Sequence, residues 1–128
     1  MSSTVPVEDV RPTQLYLSTA KLIGVLDWFD PDDPNYNSLP AFRYDQKWHL
    51  SDGHTRAFVA ALTGADRLCL THTPVQDEDA AAVYRAAIEW CREADIEKIS
   101  DLHGRLVGPE TYEQLWIERC QQVTDDTA

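Results

Sequence analysis

Long apolar runs, lysine, methionine and closely spaced cysteines are all scarce in this sequence of 128 residues. No stretch approaches the roughly 20 consecutive apolar residues that a membrane-spanning helix needs, so we expect no membrane partner. The first residues, Met1–Thr4, contain neither the basic region nor the apolar segment that is typical of a secretory signal. We therefore expect a globular protein of the cytoplasm.

The cysteines are too far apart to suggest a shared metal or a disulfide framework. They stand at Cys69, Cys91 and Cys120, and no two of them form a C-x-x-C pair. This spacing favours three thiols in the core. The acidic run Asp30, Asp32, Asp33 lacks the spacing of a calcium-binding EF-hand loop, and we expect it to be a solvated loop.

Positive charge is also scarce. The chain has 11 Lys and Arg against 22 Asp and Glu, which gives a net charge of −11. Such an excess repels a nucleic-acid backbone, so nucleic acid is not an expected partner. Abundant aspartate with few lysines is a composition that favours a halophilic source. Residues 41–76 contain four basic and three acidic side chains, so this segment is not negatively charged. It should repel an anionic ligand less than the rest of the chain does.

What the sequence does contain is enough apolar material for one packed domain. Hydrophobic residues make up 43% of the chain, which includes four tryptophans. Alternating patterns predict strands over 5–10, 41–44, 47–50 and 67–71. Helical spacing predicts helices from Ser18 or Thr19 to before Pro31, from His54 to Gly64, from Asp77 to about Ala94, and from Pro109 onward. We expect a single α+β domain over 1–128, with a small mixed sheet and a helical C-terminal third.

The same spacing predicts which residues face the core. Asp45–Gln46 is expected to be the tight turn of a β-hairpin. One or two further helical turns are expected over Ile96, Ile99 and Leu102. The apolar positions that follow helical spacing in the first helix are Leu22, Ile23, Leu26 and Phe29. The predicted inward positions of the later helices are Ala57, Phe58, Ala61 and Leu62, then Val83, Ala87, Trp90 and Cys91, and finally Tyr112, Leu115, Trp116 and Val123.

The strongest functional signal is the turn that joins a predicted strand to a predicted helix, Ser51 to Arg56. The first turn of a helix presents backbone N–H groups that attract anions, with the help of the helix dipole. Gly53 allows a phosphate to approach the backbone closely, and Thr55 offers a hydroxyl. The planar guanidinium of Arg56 can hold two phosphate oxygens. We name residues 51–56 the elbow.

Asp52 and His54 are the candidate catalytic residues of the elbow. His54 could donate a hydrogen bond to a phosphate or transfer a proton near neutral pH. Asp52 could accept a proton from an attacking hydroxyl or hold a metal attached to phosphates. The same residues also fit an ordinary helix start, in which Asp52 is the N-cap and Arg56 pairs with a nearby acid on the surface.

The sequence Asp52-Gly53-His54-Thr55-Arg56 resembles the D-G-H-H-R elbow of the ParB/sulfiredoxin superfamily, which includes ParB-like nuclease domains. The predicted first strand and the segment Arg11 to Leu15 resemble the first element of that superfamily. The likeness covers residues 5–75, the core, and leaves the C-terminal extension 77–123 unmatched. It implies that Gly53, His54, Thr55 and Arg56 bind the phosphates of a nucleotide, ATP, ADP or CTP, with magnesium.

The chain departs from the known members at identifiable positions. Sulfiredoxins place their reactive cysteine where His54 stands, so sulfinic acid repair is not expected. The free serine kinases of the superfamily have a second histidine at the position of Thr55 and a catalytic glutamate where Thr13 and Gln14 stand. Partition proteins add DNA-binding helices, whereas the tail of this chain is strongly acidic.

These observations predict a nucleotide-phosphate-binding domain, with phosphoryl transfer to a small hydroxyl substrate as the enzymatic form of that function. The alternatives are a non-catalytic interaction module of the same fold and a ParB-like nuclease or DNA-binding protein. Three further residues are weaker candidates for the site. His49 is expected to face solvent, His72 follows a strand end and can reach the elbow, and Trp48 is the tryptophan that can stack on a base.

Overall fold

A computed structural model describes residues 2–30 and 38–126 of the chain. Its strands are β1 (Ser2–Pro6), β2 (Val10–Arg11), β3 (Leu17–Ser18), β4 (Leu39–Tyr44), β5 (Lys47–Leu50), β6 (Arg67–His72) and β7 (Leu106–Val107). Five of them form a mixed sheet with the order β1-β6-β4-β5-β2, and β3 pairs with β7 in parallel.

The helices lie between and after these strands. They are α1 (Thr19–Trp28), α2 (His54–Leu62), α3 (Glu78–Glu93), α4 (Pro109–Tyr112) and α5 (Glu118–Asp126), and a π-helical segment, Glu113–Ile117, joins α4 to α5. Short 3₁₀ helices cover Val7–Asp9 and Ile99–Gly104. Within these ranges no helix combines the length and the apolar character needed to cross a membrane. The predicted α+β class and the helical C-terminal third are confirmed.

The hairpin between β4 and β5 follows the sequence prediction. Its two turn residues, Asp45 and Gln46, have φ angles of 54° and 64°. Positive φ at both central residues is the type I′ geometry, whose twist matches that of antiparallel strands. The pairing brings Ala41 opposite Leu50, and both side chains are fully buried.

The predicted first strand, 5–10, is instead two strands on opposite edges of the sheet. β1 ends at Pro6, which has no N–H to donate to a ladder. Four residue steps from Pro6 to Val10 span at most about 14 Å. The four strand spacings between the edges of a flat sheet amount to about 19 Å. The sheet therefore curls so that β1 and β2 approach each other.

The curled sheet encloses a core to which the C-terminal extension contributes directly. The leucines at 39, 50, 68 and 70 are fully buried inside the sheet. The same hydrophobic cluster contains Ala87, Cys91, Ile99, Leu102 and Trp116 from the extension. Residues 77–123 therefore complete the core that residues 5–75 begin.

Four residues at apolar positions of the predicted helices are exposed. Ile23 and Leu26 of α1 are 68% and 51% exposed. Leu62 is 66% exposed because α2 ends there. Leu115 is 42% exposed and lies in the π-helical segment. A π-helix turns each residue through a smaller angle than an α-helix does, so Leu115 leaves the face that Tyr112 and Trp116 share.

This packing predicts a large difference between two leucines of the extension. Leu102 is fully buried, so Leu102→Ala should lower the free energy of unfolding by about 2 to 5 kcal/mol. Leu115→Ala removes the same atoms from an exposed site and should cost less than about 1 kcal/mol. Urea denaturation followed by tryptophan fluorescence measures both. Equal losses would contradict the placement of the extension in the core.

Candidate functional site

The elbow turns through a left-handed glycine. Gly53 is the N-cap of α2 and has a φ of +78°, a conformation that glycine adopts without a steric cost. No side chain caps the helix, and the carboxylate of Asp52 accepts a hydrogen bond from the Gly53 N–H at 2.8 Å. The interpretation of Asp52 as an ordinary N-cap is therefore wrong. The first turn of α2 instead presents uncapped backbone N–H groups.

Arg56 folds back over this glycine. A Cβ atom built on Gly53 would lie 2.7 Å from Nη2 of Arg56 and 2.8 Å from Cδ2 of Leu39. The guanidinium is half-buried, and within residues 2–30 and 38–126 it forms no hydrogen bond and no ion pair. The expectation that Arg56 pairs with a nearby acid is therefore wrong. The structure leaves its charge available beside the helix N-terminus.

His54 is a buried, neutral part of the elbow. Its side chain is 2% exposed, and its Nε2 accepts a hydrogen bond from the backbone N–H of Thr13 at 2.8 Å. Burial lowers the pKa to about 3 in spite of the opposing charge of Asp52. With Nε2 accepting, the imidazole carries its hydrogen on Nδ1. The predicted proton transfer by His54 near neutral pH is therefore not supported, because its basic nitrogen is already bonded.

The loop before β3 is fixed to the elbow and to the extension. Thr13 Oγ1 donates to the carbonyl of Leu50 at 2.6 Å, and Gln14 Nε2 donates to the hydroxyl of Tyr112 at 2.6 Å. Gln14 faces the same space as the elbow. The resemblance places a catalytic glutamate in this neighbourhood, and the amide of Gln14 cannot act as a base there.

These elements enclose a cleft of about 770 Å³, a size typical of small-molecule sites. The elbow forms its floor. Its walls come from α1, from α3, and from the π-helical segment and α5 through Trp116 and Cys120. The lining residues are Thr13, Gln14, Lys21, Gly24, Val25, Trp28, the elbow, Ala80, Val83, Tyr84, Ala87, Trp116 and Cys120. All the candidate residues of the elbow, Asp52, Gly53, His54, Thr55 and Arg56, therefore line one cavity.

The charge of this cleft has the opposite sign to that of the chain. Lys21 and Arg56 are its cations, and Asp52 is the carboxylate among the lining residues. The ammonium of Lys21 lies 5.1 Å from the ring centroid of Tyr112 and has no ion-pair partner in the described part of the chain. The lining therefore carries a net charge of +1 in a protein of net charge −11, so this cleft repels an anion less than the rest of the surface does.

The walls of the cleft are aromatic and apolar, and sequence reasoning missed them. Trp28 is 49% exposed at the mouth, whereas Trp116 is 5% exposed and meets Trp90 edge to face. The hydroxyl of Tyr84 donates to the carbonyl of Ser51 at 2.9 Å, which fixes α3 to the elbow. A signal for one wall existed, since Lys21, Val25 and Trp28 share a helix face.

The weaker candidates lie outside the cleft. His49 is 1% exposed, contrary to the expectation of a solvent-facing residue, and burial lowers its pKa to about 4. His72 does not reach the elbow and meets Trp48 edge to face instead. Trp48 lies under the guanidinium of Arg43 and does not line the cleft, so it is not placed to stack on a base there. The exposed tryptophan that lines the cleft is Trp28.

The remaining candidates concern metals and thiols. Asp32 and Asp33 of the acidic run lie outside the described residues. In residues 2–30 and 38–126, no group of three His, Cys, Asp or Glu side chains is arranged to hold a metal ion. The cysteines are free, and burial raises the pKa of Cys91 to about 12 and that of Cys120 to about 11. Both are therefore thiols at neutral pH.

Alanine substitutions at the two glycines with positive φ, Gly53 and Gly64, separate the cost of backbone strain from the cost of crowding. Gly53→Ala and Gly64→Ala both place a Cβ at positive φ, which costs about 1 kcal/mol of stability. No atom lies within 4 Å of the Cβ position at Gly64, whereas Leu39 and Arg56 crowd Gly53. We expect Gly53→Ala to cost about 1 to 3 kcal/mol more than Gly64→Ala in urea denaturation. Equal costs would contradict the close packing of the buried Leu39 side chain against Gly53.

The two buried histidines predict how stability depends on pH. Their folded pKa values, about 3 for His54 and about 4 for His49, lie below the ordinary 6.5. Below pH 6.5 the unfolded chain binds protons that the folded chain does not bind. The free energy of unfolding should therefore fall as the pH drops through this range, by up to about 1.4 kcal/mol per pH unit for each histidine.

Urea denaturation at a series of pH values measures this slope. His54→Gln and His49→Gln should each reduce it by about half, because each removes one of the two titrating groups. An unchanged slope in the His54→Gln variant would contradict a buried neutral imidazole at the elbow.

Comparison with known proteins supports the fold and leaves the family open. No protein-family model matches the sequence, and no curated protein matches it. The crystal structure of protein Atu1540 from Agrobacterium tumefaciens is similar, with a TM-score of 0.54 and 14% sequence identity. The match covers 80% of this chain and 61% of that protein, so the chain spans less than two thirds of its length. At this identity the likeness shows the fold alone.

Proposed function

We propose that the chain binds a nucleotide in the cleft, with its phosphates on the elbow. The uncapped N–H groups of α2 and the guanidinium of Arg56 supply hydrogen-bond donors on one side of Gly53. The apolar walls accommodate the base and sugar, and the tryptophan at the mouth, Trp28, offers an exposed ring for stacking. The resemblance to the ParB/sulfiredoxin superfamily supports the same assignment.

The observation that carries the proposal is the pair of unpaired cations at the cleft. Acidic residues outnumber basic ones by two to one in this chain. Arg56 and Lys21 line the same cavity, and neither has an ion-pair partner, as is true of every Lys and Arg in the described residues except Arg92. What sets these two apart is that they meet at one cavity whose lining contains a single carboxylate, Asp52. An anionic ligand would satisfy both cations in one place.

Asp52 is the residue that would hold magnesium. Mg²⁺ in nucleotide sites is usually bound by one or two carboxylates together with the phosphates. Asp52 is exposed on the elbow next to Gly53, so its free oxygen fits this role. Bound magnesium would offset the negative charge of the phosphates.

Phosphoryl transfer is the enzymatic form of this function, and the structure restricts which residues can support it. His54 accepts a hydrogen bond from Thr13 and has no lone pair left for a substrate proton. Gln14 and Thr13 are not bases. Asp52 is the lining carboxylate that could accept a proton from a hydroxyl. Because Nε2 of His54 is already hydrogen-bonded, the structure favours the alternative of a non-catalytic interaction module.

Calorimetric titration with ATP, ADP and CTP in the presence of magnesium tests the proposal. The wild type should bind at least one of them. Arg56→Ala should weaken that binding about ten- to hundredfold, because it removes charge-assisted hydrogen bonds to phosphate. Lys21→Ala should have a smaller effect, because its ammonium is exposed and a single point charge.

Arg67→Ala is the matched control, since it removes one positive charge from an exposed site outside the cleft. Its affinity should equal that of the wild type. Absence of heat with every nucleotide, or equal losses in Arg56→Ala and Arg67→Ala, would overturn the proposal. Binding without turnover of hydroxyl compounds would assign the non-catalytic form, and binding of a labelled DNA duplex at moderate salt would favour the nuclease alternative.

A further inference from the structure

A second and smaller pocket, of about 270 Å³, lies on the other side of Tyr84 from the cleft. It is formed by the end of β4, the segment after β6 and one face of α3. Phe42 and Ile88, which are 7% and 4% exposed, give it an apolar floor. The ring of Tyr84 stands 5.1 Å from that of Phe42 and contributes to both cavities. The pocket is therefore next to the proposed nucleotide site and distinct from it.

Two arginines line this pocket, Arg43 and Arg85, and no acidic residue does so within the described part of the chain. Arg43 is held in place by a hydrogen bond from Nη2 to the carbonyl of Gln46, at 3.0 Å, and by the ring of Trp48. One such bond leaves most of its five N–H donors unused.

Two acids close to these arginines in the sequence are paired elsewhere. Glu89 follows Arg85 by one helical turn, the spacing of a helical ion pair, and Asp45 is two residues from Arg43. Both carboxylates instead contact Arg92, at 3.8 and 3.3 Å. Arg85 consequently forms no hydrogen bond or ion pair within residues 2–30 and 38–126. Glu8 and Asp9 share a third cavity with Arg43 and form no ion pair with it.

We infer that this pocket binds a small organic carboxylate. The carboxylate would pair with the guanidinium groups of Arg43 and Arg85, whose planar geometry matches two carboxylate oxygens. The apolar part of the molecule would pack on Phe42 and Ile88. The volume admits a ligand about the size of a single aromatic ring with its substituents and excludes a nucleotide.

Amide chemical-shift titration of the full chain with benzoate tests this inference, and benzamide serves as the neutral probe of the same shape. Benzoate should shift the resonances of Arg43, Tyr44, Val75 and Arg85 and should saturate in the millimolar range. Benzamide should bind about tenfold more weakly, because it is neutral and cannot form an ion pair with a guanidinium. Inorganic phosphate should also bind more weakly than benzoate, because it has no apolar part for the floor.

Substitutions that keep the apolar stem of arginine separate charge from packing. Arg85→Met and Arg43→Met should each weaken benzoate binding about tenfold. Arg67→Met, outside both cavities, should leave it unchanged. Arg56→Ala should also leave it unchanged, which separates this site from the nucleotide cleft. Equal binding of benzoate and benzamide, shifts confined to the elbow, or an absence of saturation would each overturn the inference.

Discussion

One hydrogen bond, from the backbone N–H of Thr13 to Nε2 of His54, organises the site. It joins the loop after β2 to the first residue of α2, 41 positions later in the chain. Burial keeps His54 neutral, and the bond holds the elbow to the loop. The same loop carries Gln14, which is bonded to Tyr112 at the end of α4. The loop, the elbow and α4 are thus linked by hydrogen bonds.

One side chain of the elbow, that of His54, packs in the core, and another, that of Arg56, lines the cleft. The left-handed turn at Gly53 allows both placements. At a φ of +78° the chain enters α2 with His54 directed into the protein and the guanidinium of Arg56 lying over the glycine. Any other residue at this position would place a Cβ against Leu39 in the core. The absence of a side chain at Gly53 therefore serves both the packing of Leu39 and the position of the Arg56 guanidinium.

The sequence predicted the local parts of this structure and missed the parts that depend on tertiary packing. The hairpin turn at Asp45–Gln46, the start of α2 and the positive φ at Gly53 follow from local residue preferences. The division of the predicted strand 5–10 between two sheet edges follows from curling, which depends on the whole sheet. The elbow residues were identified by motif, whereas Lys21 and Trp28 were missed because no local pattern says which helix face meets the elbow.

Few of the cations of this chain are used in ion pairs. The chain has twice as many acids as bases, yet in the described residues Arg92 pairs with two carboxylates and the other ten Lys and Arg side chains pair with none. Four of these ten, Lys21, Arg43, Arg56 and Arg85, line the two cavities. Surface ion pairs are individually weak, so leaving these cations unpaired costs the fold little. Both cavities consequently carry more basic than acidic side chains in a molecule of net charge −11. An anion bound in either one would add its binding free energy to the stability of the folded state.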